Sequence, residues 1–132
     1  AQGSMMKSIG KKGYYVTPKL FKTDNFHHSL AQEEIFGPIQ IVIPFKDEEE
    51  AIKIANSTEY GLVASVWTET GSRQIRVAKA VNAGQVFINN YGAGGGIELP
   101  FGGVGKSGHG REKGFEALYS FSQLKTIATF HG

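Results

Sequence analysis

Three short apolar runs separated by two amphipathic stretches constrain this chain more than any other feature. The runs are "IQIVIPF" (39–45), "LVASVW" (62–67) and "QVFIN" (85–89). Each has the length and β-branched content of a strand. The first is apolar at nearly every position, as expected of a strand covered on both faces. Between the runs lie "DEEEAIKIANS" (47–57) and "SRQIRVAKAVNAG" (72–84). In the former, Asp47 is placed to cap a helix N-terminus and Glu50 completes a capping-box-like pair. Glu48 and Glu49 suit the positive end of the helix dipole. In the latter, Ile75, Ala78 and Val81 share one face, and Gly84 is placed as a C-terminal stop. Strand, helix, strand, helix, strand with short links predicts an α/β fold, a three-layer-like βαβαβ parallel sheet.

The flanks add an edge and a loop. "GYYVTPKLF" (13–21) alternates, but Pro18 limits it to an edge strand or an extended segment. "REKGFEALYSF" (111–121) predicts a helix, with Gly114 as a weak point inside it. "QLKTIATF" (123–130) predicts a terminal strand suited to pair with something else. Between the third run and that helix lies "NYGAGGGIELPFGGVGKSGHG" (90–110), and over half of the 18 glycines fall between Gly84 and Gly114. Glycine at that density marks close backbone approaches or tight turns. A loop this long is expected to be functional or disordered, and it follows a parallel strand at the end where open α/β sheets bind ligands.

Composition excludes several classes. At 132 residues, with 40% hydrophobic and 20% charged residues and a net charge of +2, the chain fits one domain. It has no basic run that would suggest a nucleic-acid partner. No apolar run is long enough to span a membrane. The absence of cysteine removes disulfides, thiolate metal sites and thiol nucleophiles from this chain, and it fits a cytoplasmic location. Residues 1–4 read as a cloning remnant ahead of a start methionine at Met5 or Met6.

Two motif matches fail on context. "GVGKSG" (103–108) satisfies the dinucleotide pattern but follows "ELPFG" rather than a strand, and no acid lies between Gln123 and the end. "GKS" (105–107) imitates a phosphate-binding loop, yet the position that needs a glycine holds Pro100, which has no N–H to offer. His27, His28, His109 and His131 lack partners at metal-ligand spacing and are expected at the surface, so no metal site is expected.

Taken together, "EEIFGP" (33–38), "YGLVASVWT" (60–68), "AGQVFINN" (83–90), "LPFGG" (99–103) and "SGHGREKG" (107–114) resemble the aldehyde dehydrogenase superfamily in order and spacing. The resemblance runs from about Gly13 to the C-terminus and implies a C-terminal fragment of that fold. Residues 5–121 would be the C-terminal part of the catalytic domain, and residues 122–132 the oligomerisation strand with the C-terminus. In the family, a Rossmann-like domain binds NAD(P)⁺ and a cysteine attacks the aldehyde. Hydride then passes to the nicotinamide, and a glutamate activates water to release the acid. The resemblance places the cysteine, that glutamate and the oxyanion-hole asparagine upstream of this chain. It therefore implies no catalytic residue here, and no activity or bound cofactor for this chain alone.

The same resemblance assigns binding residues. Glu34 matches the acid that accepts from the nicotinamide ribose hydroxyls, and Phe36 the aromatic packed near the nicotinamide. Tyr91, Gly92 and Ala93 would shape the aldehyde passage, and Phe101 would line it near the reacting centre. Asn89 matches an asparagine expected to organise the loop. Many members carry an aromatic–lysine pair after the double glycine, where this chain has Val104 and Gly105, which leaves the subfamily and the aldehyde open. The implied partners are an aldehyde, NAD or NADP in the intact enzyme, and further copies of the protein through the terminal strand. The alternative is a truncated or decayed gene product acting as a non-catalytic, self-associating module.

Overall fold

The chain folds as mixed α/β, in a computed structural model that describes residues 1–4, 13–92 and 95–132. It divides into two compact units, Ala1–Thr58 and Glu59–Gly132. In the first, β1 (Lys19–Lys22) and β2 (Ile39–Val42) form a parallel ladder, joined through the one-turn helix α1 (Ser29–Gln32). β1 starts directly after Pro18, the residue that cannot donate to a ladder. His28 caps α1, its Nδ1 accepting the Leu30 N–H at 3.1 Å.

β2 is half-buried in alternation rather than covered on both faces: Ile39 and Ile41 turn inward, while Gln40 and Val42 are exposed. Leu30, Ile35, Ile39, Ile41 and Ile43 line one groove together with Glu33, so the inward face is the one beside α1. Within residues 1–4, Ala1 and Gly3 are hydrogen-bonded to the chain at Leu20 and Pro18. The Gly3 N–H donates to the Pro18 carbonyl at 2.7 Å, and the Leu20 N–H donates to the Ala1 carbonyl at 2.8 Å.

α2 (Glu48–Ala55) closes the unit and starts as its sequence dictates. Asp47 Oδ1 accepts the Glu50 N–H at 2.9 Å, while Glu50 Oε2 reaches back to the Lys46 N–H at 2.8 Å. The reciprocal pair thus reaches one residue further back than a standard capping box. Asp47→Ala leaves orphan N–H groups and is expected to cost about 1 kcal/mol. Thermal unfolding of the full-length protein carrying the substitution would measure this.

The second unit is built on β4 (Val63–Val66) and β5 (Gln85–Ile88), a parallel pair in register Val63↔Gln85 to Val66↔Ile88. α3 (Gly71–Ala80) connects them and packs on both. Its packed stripe is Gln74, Val77, Ala78 and Val81, whereas Ile75 is 53% exposed. Gln74 belongs to the stripe because its Nε2 donates to the Thr68 carbonyl at 2.8 Å. The helix ends at Ala80, four residues before Gly84, so Gly84 is no helix stop.

The glycine-rich loop has structure of its own. β3 (Tyr60–Gly61) pairs antiparallel with β6 (Val104–Gly105), and Phe101 forms a bridge with Glu112. α4 runs over Gly114–Ser120 and begins later than its sequence suggests, because Lys113 (φ 66°) and Gly114 (φ 63°) both take left-handed backbone. Residues 123–130, expected as a strand, belong to no ladder among the described residues, and Leu124, Ile127 and Phe130 are at least 80% exposed. A strand exists only with a partner, and among the described residues that segment has none.

Candidate functional site

The acid–aromatic segment lies on a tight turn between α1 and β2. The Gly37 N–H donates to the Ile35 carbonyl at 2.7 Å, and the Ile39 N–H donates to the Gly37 carbonyl at 2.8 Å. These short-range bonds hold Glu34 and Phe36 outward; both are exposed, and the Phe36 ring is 96% exposed. Phe36 shares this exposure with many large apolar side chains of the chain, among them Tyr14, Phe121, Leu124 and Phe130. The neighbouring carboxylate has lone pairs for two hydroxyl donors.

In the second unit, Asn89 (φ 50°) ends β5 in left-handed backbone. Its Oδ1 accepts the Thr68 N–H at 2.8 Å, and its Nδ2 donates to the Thr68 carbonyl at 3.0 Å. The side-chain amide thus continues the β4–β5 ladder beyond the last paired strand residue. The Asn90 side chain accepts the Tyr91 N–H at 2.8 Å, and the Asn90 carbonyl accepts the Ser65 hydroxyl at 3.0 Å. Tyr91 is presented at 71% exposure. Gly92 approaches the Phe87 ring, which a Cβ there would meet at 3.5 Å. Ala93 lies outside the described residues.

Phe101 is half-buried on an open cleft of about 350 Å³, which Leu62, Arg111, Glu112 and Phe121 also line. The Lys113 ammonium lies 5.8 Å from the Phe101 ring centroid. The backbone around Phe101 is gripped on every side. Its N–H donates to the Glu112 carbonyl at 2.6 Å, and its carbonyl accepts the Glu112 N–H at 2.7 Å. Arg111 Nη1 donates to the carbonyls of Gly103 at 2.8 Å and Gly110 at 2.9 Å. Further along, Ser107 Oγ accepts the Gly61 N–H at 3.1 Å, and Lys106 pairs with Glu59. The hydrogen bond to Glu59, and then its charge, hold the Lys106 pKa above the usual lysine value. Both partners of this pair are well exposed, so it steers the loop more than it stabilises it.

The glycines explain why this loop can close so tightly. A Cβ at Gly84 would sit 1.7 Å from the Gly102 oxygen, and one at Gly103 would sit 2.4 Å from the Ser107 Cβ. At Gly105 (φ 58°) it would meet the Glu59 oxygen at 2.3 Å. These contacts also explain why "GVGKSG" is no phosphate cradle. The Lys106 N–H is spent on Glu59, that of Ser107 on Val104 and that of Gly108 on Gly105. Among the described residues, no three His, Cys, Asp or Glu side chains cluster as a metal site, and no helix is long and apolar enough to cross a membrane.

The molecule is thus an α/β chain with parallel ladders, an exposed acid–aromatic turn before one strand and an interlocked glycine loop after another. It belongs to the aldehyde dehydrogenase family, whose family model matches residues 1–127. An aldehyde dehydrogenase of Emericella nidulans is 48% identical over 118 residues, covering 89% of this chain and 24% of that protein. The crystal structure of a Burkholderia cenocepacia protein assigned as an aldehyde dehydrogenase superposes with a TM-score of 0.91 at 59% identity. That match covers all of this chain and 28% of the other. An aldehyde dehydrogenase of Mycobacterium tuberculosis, crystallised with NAD⁺, matches at 37% identity with a TM-score of 0.84, over 93% of this chain and 25% of its own. The chain therefore spans about a quarter of the length of the relatives it matches.

Proposed function

We propose that this chain is the C-terminal portion of an NAD(P)-dependent aldehyde dehydrogenase that oxidises an aldehyde to a carboxylic acid. When bound, the nicotinamide of NAD(P)⁺ supplies the hydride acceptor. The contribution of this chain is to bind and orient. Glu34 accepts from the vicinal ribose hydroxyls, Phe36 packs beside the nicotinamide, and Tyr91, Gly92, Ala93 and Phe101 shape the aldehyde passage. With no cysteine in its sequence, the chain cannot make the covalent step and is inactive by itself, without cofactor. The terminal segment 122–132 is its oligomerisation strand, and the protein works in the cytoplasm as a homo-oligomer.

The observation that carries this reading is the acid–aromatic turn, with an uncovered Phe36 ring and the Glu34 carboxylate two residues before it. In the full-length protein, Glu34→Gln keeps the shape and removes the charge from two hydroxyl contacts. The KM for the dinucleotide is expected to rise roughly tenfold or more, the range of a charge-assisted hydrogen bond. Steady-state NAD(P)H formation with a panel of aldehydes measures it. An unchanged cofactor KM removes Glu34 from the ribose site, and a full-length protein that oxidises no aldehyde overturns the function.

The exposed apolar side chains of α4 and the terminal segment favour a second reading, a non-catalytic module that self-associates. A native product near 14.3 kDa in the cell that self-associates in light scattering would support it, and a clean monomer or a band several times heavier would remove it.

A further inference from the structure

The backbone that carries Phe101 is held by Glu112 at the residue itself, by Arg111 on its C-terminal side and by Gln85 on its N-terminal side. On the C-terminal side, Gly102 is closed in: a Cβ there would meet the Gly110 oxygen at 2.1 Å. Arg111 also holds the Gly103 carbonyl in place. On the N-terminal side stands Pro100, which has no N–H, so its carbonyl is its sole backbone polar handle. That carbonyl accepts a hydrogen bond from Gln85 Nε2 at 2.9 Å. Gln85 is well anchored to make it. It opens β5, pairs in register with Val63, and its N–H donates to the Leu62 carbonyl at 3.2 Å. Its side chain is half-buried, where a hydrogen bond competes less with water.

We propose that Gln85 is a positioning residue for the Phe101 ring. Through the Pro100 carbonyl it couples strand β5 to the segment before Phe101, and so sets how far the ring projects into the cleft. The inference rests on the reading of Phe101 as a wall of the aldehyde passage and adds to it a residue that selects among aldehydes by size. A wall that shifts by a fraction of an ångström alters the fit of a bulky aldehyde more than that of a short one. Gln85 touches no reacting atom and works only through Phe101.

The test uses the full-length protein with 4-fluorophenylalanine at position 101 alone, read by fluorine NMR, in the background of Gln85→Leu or Gln85→Glu. With Gln85 in place, one sharp resonance is expected; Gln85→Leu should shift or broaden it. Gln85→Glu should resemble Gln85 in acid, where the protonated carboxyl donates to Pro100. It should resemble Leu at higher pH, where the carboxylate faces a carbonyl with no proton to give. A pH-independent Glu variant, or a Leu variant with the original resonance, overturns the proposal. In turnover, Gln85→Leu should raise KM for phenylacetaldehyde roughly threefold to tenfold with kcat retained, as loss of one hydrogen bond allows. KM for propanal should stay where it was, and equal effects on both aldehydes would overturn the size selection. The resonance is read whether or not an aldehyde is turned over. Failure of the dehydrogenase reading and failure of the positioning role are therefore seen separately.

Discussion

Expressed alone, residues 1–132 are expected to unfold without a cooperative transition, to bind a hydrophobic dye and to scatter light increasingly with concentration. The reason is the distribution of apolar surface. Among the described residues no apolar side chain is buried, although 40% of the sequence is hydrophobic. Helix α4 illustrates the problem: Phe115, Leu118 and Tyr119 are 83%, 62% and 78% exposed, and Phe121 just beyond it is 87% exposed. A helix of seven residues does not hold itself together in water without packing. Ordering each residue costs about 1–2 kcal/mol of backbone entropy, and burial of apolar surface is the main term that offsets it. Without that burial, the few kcal/mol that separate native from unfolded domains cannot accumulate. Urea titration followed by circular dichroism, together with light scattering, decides the matter. A steep transition from a clean monomer would show that the chain is a self-sufficient domain. Cooperative folding of the full-length protein beside a failing fragment would show that the exposed faces are covered by the rest of the chain.

The second large effect is expected at Gly84. Adding one methyl group there places carbon 1.7 Å from the Gly102 oxygen, 2.7 Å from its carbonyl carbon and 3.0 Å from the Gly103 Cα. All three are backbone atoms in a segment fixed from several sides, so no flexible side chain can move aside. Gly84→Ala is therefore expected to cost about 4 kcal/mol or more in the full-length protein, at the extreme end of single substitutions. Gly110→Ala is the control, since a Cβ there meets nothing within 4 Å, and its effect should stay within about 0.5 kcal/mol. Thermal shift and soluble yield of the two variants, side by side, measure the difference. Equal stability would mean that Gly84 and Gly102 do not approach each other.

Much of the fold was legible because its signals are local. Asp47 and Glu50 mark the start of α2 through bonds that span three and four residues. The apolar runs announce β2, β4 and β5, and the two-residue strands β3 and β6 escape because so short a pairing has no period to read. The face of α3 was misassigned at Ile75 because Gln74, a polar residue, takes an inward place by bonding Thr68. Gly84 reads as a helix stop from its neighbours, yet what it serves is an approach to Gly102, eighteen positions further along the chain. The acid–aromatic turn and Phe101 were nominated by their motifs. The support given by Gln85 and Arg111 was invisible, because nothing in "AGQVF" or "GREKG" says which carbonyl a side chain will reach.

What the sequence by itself determined is therefore the strands β2, β4 and β5, the helices α2 and α3 between them, the Asp47 cap and the family, since each depends on residues within a few positions or on motifs in fixed order. Only the tertiary structure decided which glycines make room for which backbone, which side chains hold the Phe101 segment, and that 123–130 has no strand partner among the described residues. The physical reason is the same for all three. A close approach, a hydrogen bond across a loop and a ladder each need two segments, and the second can lie anywhere in the chain or outside it.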